Sequence, residues 1–335
     1  MPLFQQDISE KSAFIVHKSV ATVYIILTFV AWFGNGLIAH STITNKKLHN
    51  PCNILIAIQA VSDIFIQMSH PFYLYFAWNE IYVSFYTCSH INFIFVSCAD
   101  FSSCMMFFIS LDRLICFKKP LFYKSLNSNY YVGGVVAICL FYCGFMKAMI
   151  SISLTEEKTI CLIAESMTGT MSLVWSGAST LLNLAVILVY SFLIKNFKAS
   201  GSEYKKINRS LKTMITVHIF GWFLTMSVVS ISYLAAPTHR VYIAMTTTGG
   251  IGANLNLAAP FFIYYFRSSL YREAFDKLFR RMELFCVKSQ VQPSSYAIAT
   301  NRQEPTVQLV VIVLNAKTIG GYIKPNVKSD VIVLL

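Results

Sequence analysis

The feature of the sequence that most restricts its fold is a series of seven apolar stretches. Each has about 20 or more mostly apolar residues, the length that an α-helix needs to cross a bilayer. The stretches cover residues 14–42, 52–77, 84–117, 130–152, 171–194, 211–234 and 241–266. Only 13% of the 335 residues are charged, roughly half the share of a soluble protein. The pattern predicts an all-α membrane protein, a seven-transmembrane helix bundle.

The bundle divides the chain into four regions. We predict an extracellular N-terminus at residues 1–13, the bundle at 14–266, an amphipathic helix at 267–286 and a cytoplasmic tail without fixed structure at 287–335. In the third region, apolar residues share one helical face opposite charged ones, which is typical of a helix lying in the membrane interface. These residues are Leu270, Ala274, Phe275, Leu278 and Phe279.

The distribution of basic residues predicts the orientation in the membrane. Up to residue 288, eighteen Lys and Arg residues fall on one side of the seven stretches and five on the other. Because basic loops stay in the cytoplasm, we predict a multi-pass plasma-membrane protein with an extracellular N-terminus. The net charge of +12 is then explained by contacts with membrane lipids and a cytoplasmic partner, and not by nucleic acid.

Three polar residues lie within apolar stretches, where such residues are costly and tend to be functional. Asp63 is interpreted either as a hydrogen-bonding hub or as a cation or proton site in the bundle core. Asp100 either lines a ligand pocket or bonds a neighbouring helix. Asn35, between Gly34 and Gly36, favours close packing with another helix.

An adjacent acid and base, Asp112 and Arg113, stand at the cytoplasmic end of the third stretch. The two side chains can pair, and Arg113 can move to another partner if the helix ends separate, which makes a two-state element. The alternative interpretation is an anchor that holds the helix end at the lipid headgroups.

Two of the nine cysteines lie outside the cell in the predicted topology. Cys88 opens the third stretch and Cys161 lies in the loop between the fourth and fifth. Because the extracellular environment is oxidising, we predict a disulfide between them. Cys286 follows the amphipathic segment and is a candidate for palmitoylation.

These residues together resemble the rhodopsin-like G-protein-coupled receptors over about residues 14–286. The resemblance rests on Gly34-Asn35, Asp63, the spacing from Cys88 to Arg113, Asp112-Arg113-Leu114, Tyr190 and Trp222. The seventh-helix motif is degraded, since Tyr264 lies one residue too far from Pro260. The segment 263–275, together with 221–225, is similar to nematode serpentine chemoreceptors of class SX.

The resemblance implies a role for each motif residue. A switch that couples to a heterotrimeric G protein would use Asp112, Arg113, Tyr190 and Tyr264. A polar core would contain Asn35, Asp63, Ser102, Asn254 and Asn256, and a sodium ion at Asp63 and Ser102 is one alternative there. Asp100 and Trp222 would line the pocket for an extracellular ligand, either a chemosensory small molecule or a peptide. No enzyme activity and no cofactor is implied.

Other classes of membrane protein fit the sequence less well. An opsin requires a seventh-helix lysine for retinal, and residues 241–266 contain none. Asp63 and Asp100 lack the glycine-flanked motif of intramembrane aspartyl proteases, and a His-Glu-x-x-His metalloprotease motif is absent. A ligand-gated channel or transporter stays as the alternative function. The seven-helix insect olfactory channels have the reverse orientation, so an N-terminal reporter would discriminate between the two functions.

The sequence disfavours one ligand class and leaves the rest open. Amine receptors of the superfamily carry an aspartate near the outer third of the third helix, and the corresponding residues 93–96 are all apolar here. Amines are therefore disfavoured. The ligand, the G-protein subtype and the oligomeric state are not determined by the sequence.

Overall fold

The structure is a computed structural model that describes residues 8–197, 213, 216–236 and 238–290, with side chains for all of these except 196–197 and 282–290. The chain separates into two units, Met1–Val287 and Lys288–Leu335. Of the second unit only residues 288–290, the end of a helix, are described. The predicted tail at 291–335 lies outside the described residues.

The described part of the chain is almost entirely helical. Its helices are α1 (Glu10–Thr44), α2 (Pro51–Gln67), α3 (Ser69–Trp78), α4 (Phe85–Ile91), α5 (Phe93–Lys118), α6 (Pro120–Ser125), α7 (Ser128–Ile152), α8 (Gly169–Phe197), α9 (Leu224–Ala235), α10 (His239–Ala258), α11 (Pro260–Arg267) and α12 (Ser269–Gln290). A π-helical turn at Ile219–Phe223 precedes α9. Short 3₁₀ turns occur at Lys46–Leu48 and Ile163–Glu165.

Six helices among the described residues are long and apolar enough to cross a membrane. They are Glu10–Thr44, Pro51–Trp78, Phe93–Lys118, Ser128–Ile152, Gly169–Lys195 and Thr216–Ala235. Each falls on one of the first six predicted stretches. The seventh stretch forms α10 and α11, and it is less apolar because α10 contains several Thr, Gly and Asn residues.

Prolines explain two interruptions that the sequence analysis treated as continuous stretches. Pro71 has no N–H to donate to the carbonyl of Gln67, and the second stretch is divided into α2 and α3 at Met68. Pro260 likewise separates α10 from α11 at Ala259. The first residues of the third stretch form the separate helix α4, which ends at Ile91.

The bundle is arranged around α5, which contacts α2, α7 and α8, while α1 packs against α2, α3 and α10. The α1–α11 contact requires a glycine, because a Cβ at Gly34 would lie 2.7 Å from Cβ of Phe261. This agrees with the predicted close packing beside Asn35. The backbone of the π-helical turn approaches α10 equally closely, where Gly221 contacts the side chain of Asn256.

A two-stranded ladder lies at one end of the bundle. Strand β1 (Val83–Ser84) pairs antiparallel with β2 (Lys158–Thr159), and Val83 lies opposite Thr159. We call this end the disulfide end, for the bridge described below, and the opposite end of α5 the Arg113 end.

Helix α12 follows α11 at the Arg113 end and packs its apolar face against the bundle. Phe275 is completely buried, and Tyr271 and Ala274 are buried beside it. The predicted face was therefore correct in its apolar residues, and Tyr271 is an addition to it. Cys286 lies within α12, but its side chain is outside the described ones.

Candidate functional site

The predicted disulfide between Cys88 and Cys161 is confirmed. The bridge joins residues 73 positions apart and attaches the loop after β2 to α4. The amide of Asn92 donates to both sulfur atoms, at 3.4 Å to Cys88 and 3.2 Å to Cys161. The loop is thus held by a covalent bond, two hydrogen bonds and the strand ladder.

A cavity of about 70 Å³ lies between this loop and two tryptophans, Trp175 in α8 and Trp222 in the π-helical turn. We call it the central cavity. Asp100 is almost fully buried beside it and does not line it. Its carboxylate instead accepts a hydrogen bond of 2.7 Å from Nε1 of Trp175. Asp100 can therefore influence a ligand in the central cavity by orienting Trp175.

A second cavity, which we call the polar cavity, extends from Asp63 towards the Arg113 end. The hydroxyl of Ser102 donates to Oδ1 of Asp63 at 2.6 Å. The Asn35 side chain lines the same cavity, and its Nδ2 donates to the carbonyl of Leu257 at 3.0 Å. Oδ1 of Asn35 is buried and has no hydrogen-bond partner among the described residues.

The two asparagines of α10 are placed differently. Asn256 lines the polar cavity with Asn35 and Asp63. Asn254 lines the central cavity instead, and its Nδ2 donates to the carbonyl of Gly250 at 3.0 Å. Because residues two apart in a helix point in very different directions, only one of them can reach Asp63.

At the Arg113 end, the Arg113 guanidinium lies among buried side chains. Its charge lies near Cys52 of α2, Tyr190 of α8, Tyr264 of α11 and the adjacent Asp112, and all four are buried. Tyr190 and Tyr264 also line the polar cavity. Arg113 itself is partly exposed and lies beside these side chains of the bundle interior.

Asp112 has a different partner from the one that the sequence suggested. Its buried carboxylate accepts hydrogen bonds from the hydroxyl of Tyr123 in α6, at 3.0 and 3.2 Å. The ion pairs within 4.0 Å in the described part of the chain do not include one between Asp112 and Arg113. The two side chains nevertheless have common neighbours, which are Cys52, Cys116 and Tyr190. Burial and the neighbouring Asp112 raise the pKa of Tyr123, which keeps its hydroxyl protonated as the donor.

Three side chains at these sites were missed by the sequence analysis. Tyr123 bonds Asp112, Trp175 bonds Asp100, and His218 lines the polar cavity with both ring nitrogens unpartnered among the described residues. His218 carried a usable signal, because a histidine within an apolar stretch is a departure of the same kind as Asp63. Nothing in the sequence distinguished Tyr123 or Trp175, since aromatic residues are common throughout the chain.

Comparison with known proteins identifies one family over most of the chain. The family described as serpentine type 7TM GPCR chemoreceptor Srsx matches residues 28–279. This segment contains α2 to α11 and every switch, core and pocket residue discussed above.

Individual relatives are distant. Trace amine-associated receptor 9 of Homo sapiens is 24% identical over 273 residues, which cover 72% of this chain and 74% of the relative. Free fatty acid receptor 3 of Homo sapiens is 22% identical over 292 residues, 79% of this chain and 81% of the relative. An ultraviolet-sensitive opsin of Apis mellifera is 33% identical over 64 residues, and the match spans only 17% of the opsin and 19% of this chain.

Proposed function

The chain belongs to the serpentine type 7TM GPCR chemoreceptor Srsx family, and we propose on this basis that it binds an extracellular ligand and activates a heterotrimeric G protein. The observation that carries the proposal is the position of Arg113. Its charge lies among Cys52, Tyr190 and Tyr264, from three different helices. A charge in this position can respond to a change in the spacing of those helices.

The proposed topology follows from the family and the loop charges. The protein is a multi-pass membrane protein with at least the six apolar helices described above. We assign the seventh span to α10 and α11, and we place α12 in the membrane interface with Cys286 as its palmitoylation candidate. Because eighteen basic residues lie on the Arg113 side, we assign that side to the cytoplasm and the N-terminus to the outside of the plasma membrane.

In the proposed mechanism, ligand binding changes the packing at the central cavity and thereby the spacing of helices at the Arg113 end. Trp222 lines both the central and the polar cavity, so it contacts the space on either side. A ligand need only bind the active arrangement more tightly than the resting one to shift the two populations. Arg113 would then be available to the G protein, beside Tyr190 and Tyr264.

The polar core would transmit this change between the two cavities. Asp63, Ser102 and the unpartnered Oδ1 of Asn35 supply oxygen atoms, which suit a hard cation such as sodium. The same Asp63–Ser102 hydrogen bond also explains a purely structural hub. Either role requires these side chains to face inward, as they do.

The ligand is a small molecule or peptide in this proposal, and the relatives do not narrow it. Their names refer to trace amines, to a fatty acid and to an opsin, which share no chemistry. We propose no enzyme activity and no cofactor, because nucleotide exchange would take place on the G protein. A ligand-gated channel or transporter is the competing function, and a channel like the seven-helix insect olfactory channels would have its N-terminus in the cytoplasm.

The test measures basal guanine-nucleotide exchange on a panel of G-protein heterotrimers in membranes that contain the full chain. We expect exchange above that of empty membranes, and Arg113→Ala should reduce it to background while surface delivery stays normal. Lys119→Ala, an exposed basic residue at the same helix end, is the matched control and should leave exchange unchanged. Normal exchange by Arg113→Ala would show that Arg113 is only an anchor.

A further inference from the structure

A third cavity lies at the disulfide end, apart from the central and polar cavities. Its volume is about 250 Å³, close to the lower limit for small-molecule sites, about 300 Å³. We call it the loop cavity. It is bounded by the loop after Cys161, the start of α8, the end of α9 and the start of α10.

Glu165 supplies the one carboxylate among the residues that line this cavity. Its side chain is 2% exposed, and Oε2 lies 3.8 Å from Nε2 of His239. Oε2 also accepts a hydrogen bond of 3.0 Å from the hydroxyl of Thr159. The other oxygen, Oε1, has no hydrogen-bond partner in the described part of the chain.

The hydrogen bond that holds the loop in place uses only one of the two oxygens of the Glu165 carboxylate. The bond to Thr159 fixes the loop through Oε2 and leaves Oε1 unused. A buried carboxylate oxygen without a partner is destabilising, because it has lost its hydrogen bonds to water and forms none within the protein. A ligand that brings a charged hydrogen-bond donor would remove that cost.

Aromatic rings surround the same cavity. Tyr242 stacks on His239 with ring centroids 5.9 Å apart and meets Tyr233 edge-to-face at 6.3 Å. Phe85 lies against His239 on another side, with centroids at 6.0 Å. Rings of this kind bind both an apolar group and, through their faces, an organic cation.

A further polar group lies on the wall opposite the loop. Ser232 of α9 is completely buried and lines the cavity, and its hydroxyl has no partner among the described residues. An ammonium group has three donors. Oε1 of Glu165 and Oγ of Ser232 are two buried acceptors without partners among the described residues, and both belong to residues that line the loop cavity.

We propose that the loop cavity binds the ammonium group of an aralkylamine, with Glu165 as its counter-ion and the aromatic wall against its ring. The inference rests on the proposed receptor function and adds to it a ligand site at the disulfide end, apart from the central cavity. The sequence disfavoured amines because residues 93–96 of α5 carry no acid. The structure supplies the acid from the loop after Cys161 instead.

Protonation of Glu165 gives the proposal a pH signature. Burial raises the pKa of this carboxyl to about 7, and the hydrogen bond from Thr159 offsets only part of the effect. The other titratable groups near it are His239 and Tyr242 of α10 and Tyr73 of α3. The tyrosines stay neutral between pH 6 and 8, and burial lowers the pKa of His239. The affinity for a cation should therefore fall about tenfold from pH 8 to pH 6, as the carboxylate becomes protonated.

The experiment uses the purified full chain in lipid nanodiscs, without G protein. Phenethylammonium is the probe and neutral 2-phenylethanol its matched control, with binding measured by calorimetry. We expect saturable binding of the cation at pH 8, none of the alcohol, and weaker binding of the cation at pH 6. Glu165→Gln should lower the affinity about thirtyfold or more, whereas Glu156→Gln, an exposed acid of the same loop, should bind as the wild type does.

Several outcomes would overturn the inference: no saturable binding of phenethylammonium, equal binding of the alcohol, or undiminished binding by a folded Glu165→Gln chain. If that variant does not fold, the wild type still tests the inference, because its affinity for phenethylammonium must fall from pH 8 to pH 6. Because binding is measured without G protein and basal exchange without ligand, failure here leaves the proposed coupling intact. Absence of exchange, conversely, leaves the binding result intact.

Discussion

The two ends of the bundle are built in different ways. At the disulfide end, Cys88 and Cys161 are covalently bonded and a strand ladder holds the loop beside them. At the Arg113 end, Cys52 and Cys116 are free thiols, and the charge of Arg113 lies near Asp112 and near side chains of three other helices. The disulfide end is held by a covalent bond and a strand ladder, whereas the Arg113 end depends on noncovalent interactions whose partners can change.

This difference suits a receptor. A fixed end preserves the shape of a binding cavity, which lowers the ordering cost when a ligand binds. An end held by exchangeable contacts can adopt two arrangements of similar free energy, and a small difference in ligand affinity then changes their populations. Signalling would thus require that the disulfide end stays fixed while the contacts at the Arg113 end change.

The largest effect is expected from opening the disulfide end. Cys88→Ser or Cys161→Ser should reduce surface delivery severely, because losing a native disulfide typically costs about 2–5 kcal/mol of stability. Flow cytometry of a surface-tagged chain measures this. Cys139→Ser, a buried free thiol of α7, is the control and should have a mild effect. Free thiols at positions 88 and 161 in mass mapping of the non-reduced wild type would show that this end is not held by a covalent bond.

A smaller and two-directional effect is expected at the Arg113 end. Asp112→Asn removes a negative charge near Arg113 and should raise basal nucleotide exchange. Tyr123→Phe removes the hydroxyl that bonds Asp112, so the carboxylate should turn to Arg113 and lower basal exchange. A hydrogen bond to a charged group contributes about 1.5–3 kcal/mol, enough for a change of about tenfold in either direction.

The matched control is Tyr130→Phe, which removes an exposed hydroxyl at the start of α7 and should leave basal exchange unchanged. Equal changes in the same direction from Asp112→Asn and Tyr123→Phe would mean that Asp112 only stabilises the helix end. The contacts at the Arg113 end would then not be exchangeable in the way that a switch requires.

The smallest effect concerns pH and the disulfide end. The pKa of Glu165 is raised by burial from 4.5 to about 7, so the stability that its neutral form contributes is fully present below pH 4.5 and is lost as the pH rises through 7. The loss is about 3 kcal/mol at most. Melting curves of the ligand-free chain between pH 4.5 and 8 should show this slope, and Glu165→Gln should flatten it. A slope as steep in Glu165→Gln as in Glu156→Gln would place the titrating group elsewhere.

The sequence by itself determined the features that depend on local composition or on compartment. Six predicted stretches coincide with apolar helices because a bilayer imposes a minimum length of apolar residues. The disulfide was predictable because only Cys88 and Cys161 fall on the oxidising side in the predicted topology. The breaks at Pro71 and Pro260 could also have been read from the sequence, since proline lacks the N–H that a helix interior needs.

Only the tertiary structure decided which side chains meet across helices. Asp112 and Arg113 are adjacent in sequence, and only the fold shows that Asp112 accepts a hydrogen bond from Tyr123 and that Arg113 lies near Tyr190. Asn254 and Asn256 likewise face different cavities. Glu165 looked like one acid in a polar loop, and its burial arises from the disulfide and ladder that fold that loop over the bundle. Composition fixes which segments enter the membrane, whereas contacts between distant residues depend on helix rotation and loop path, which no local pattern encodes.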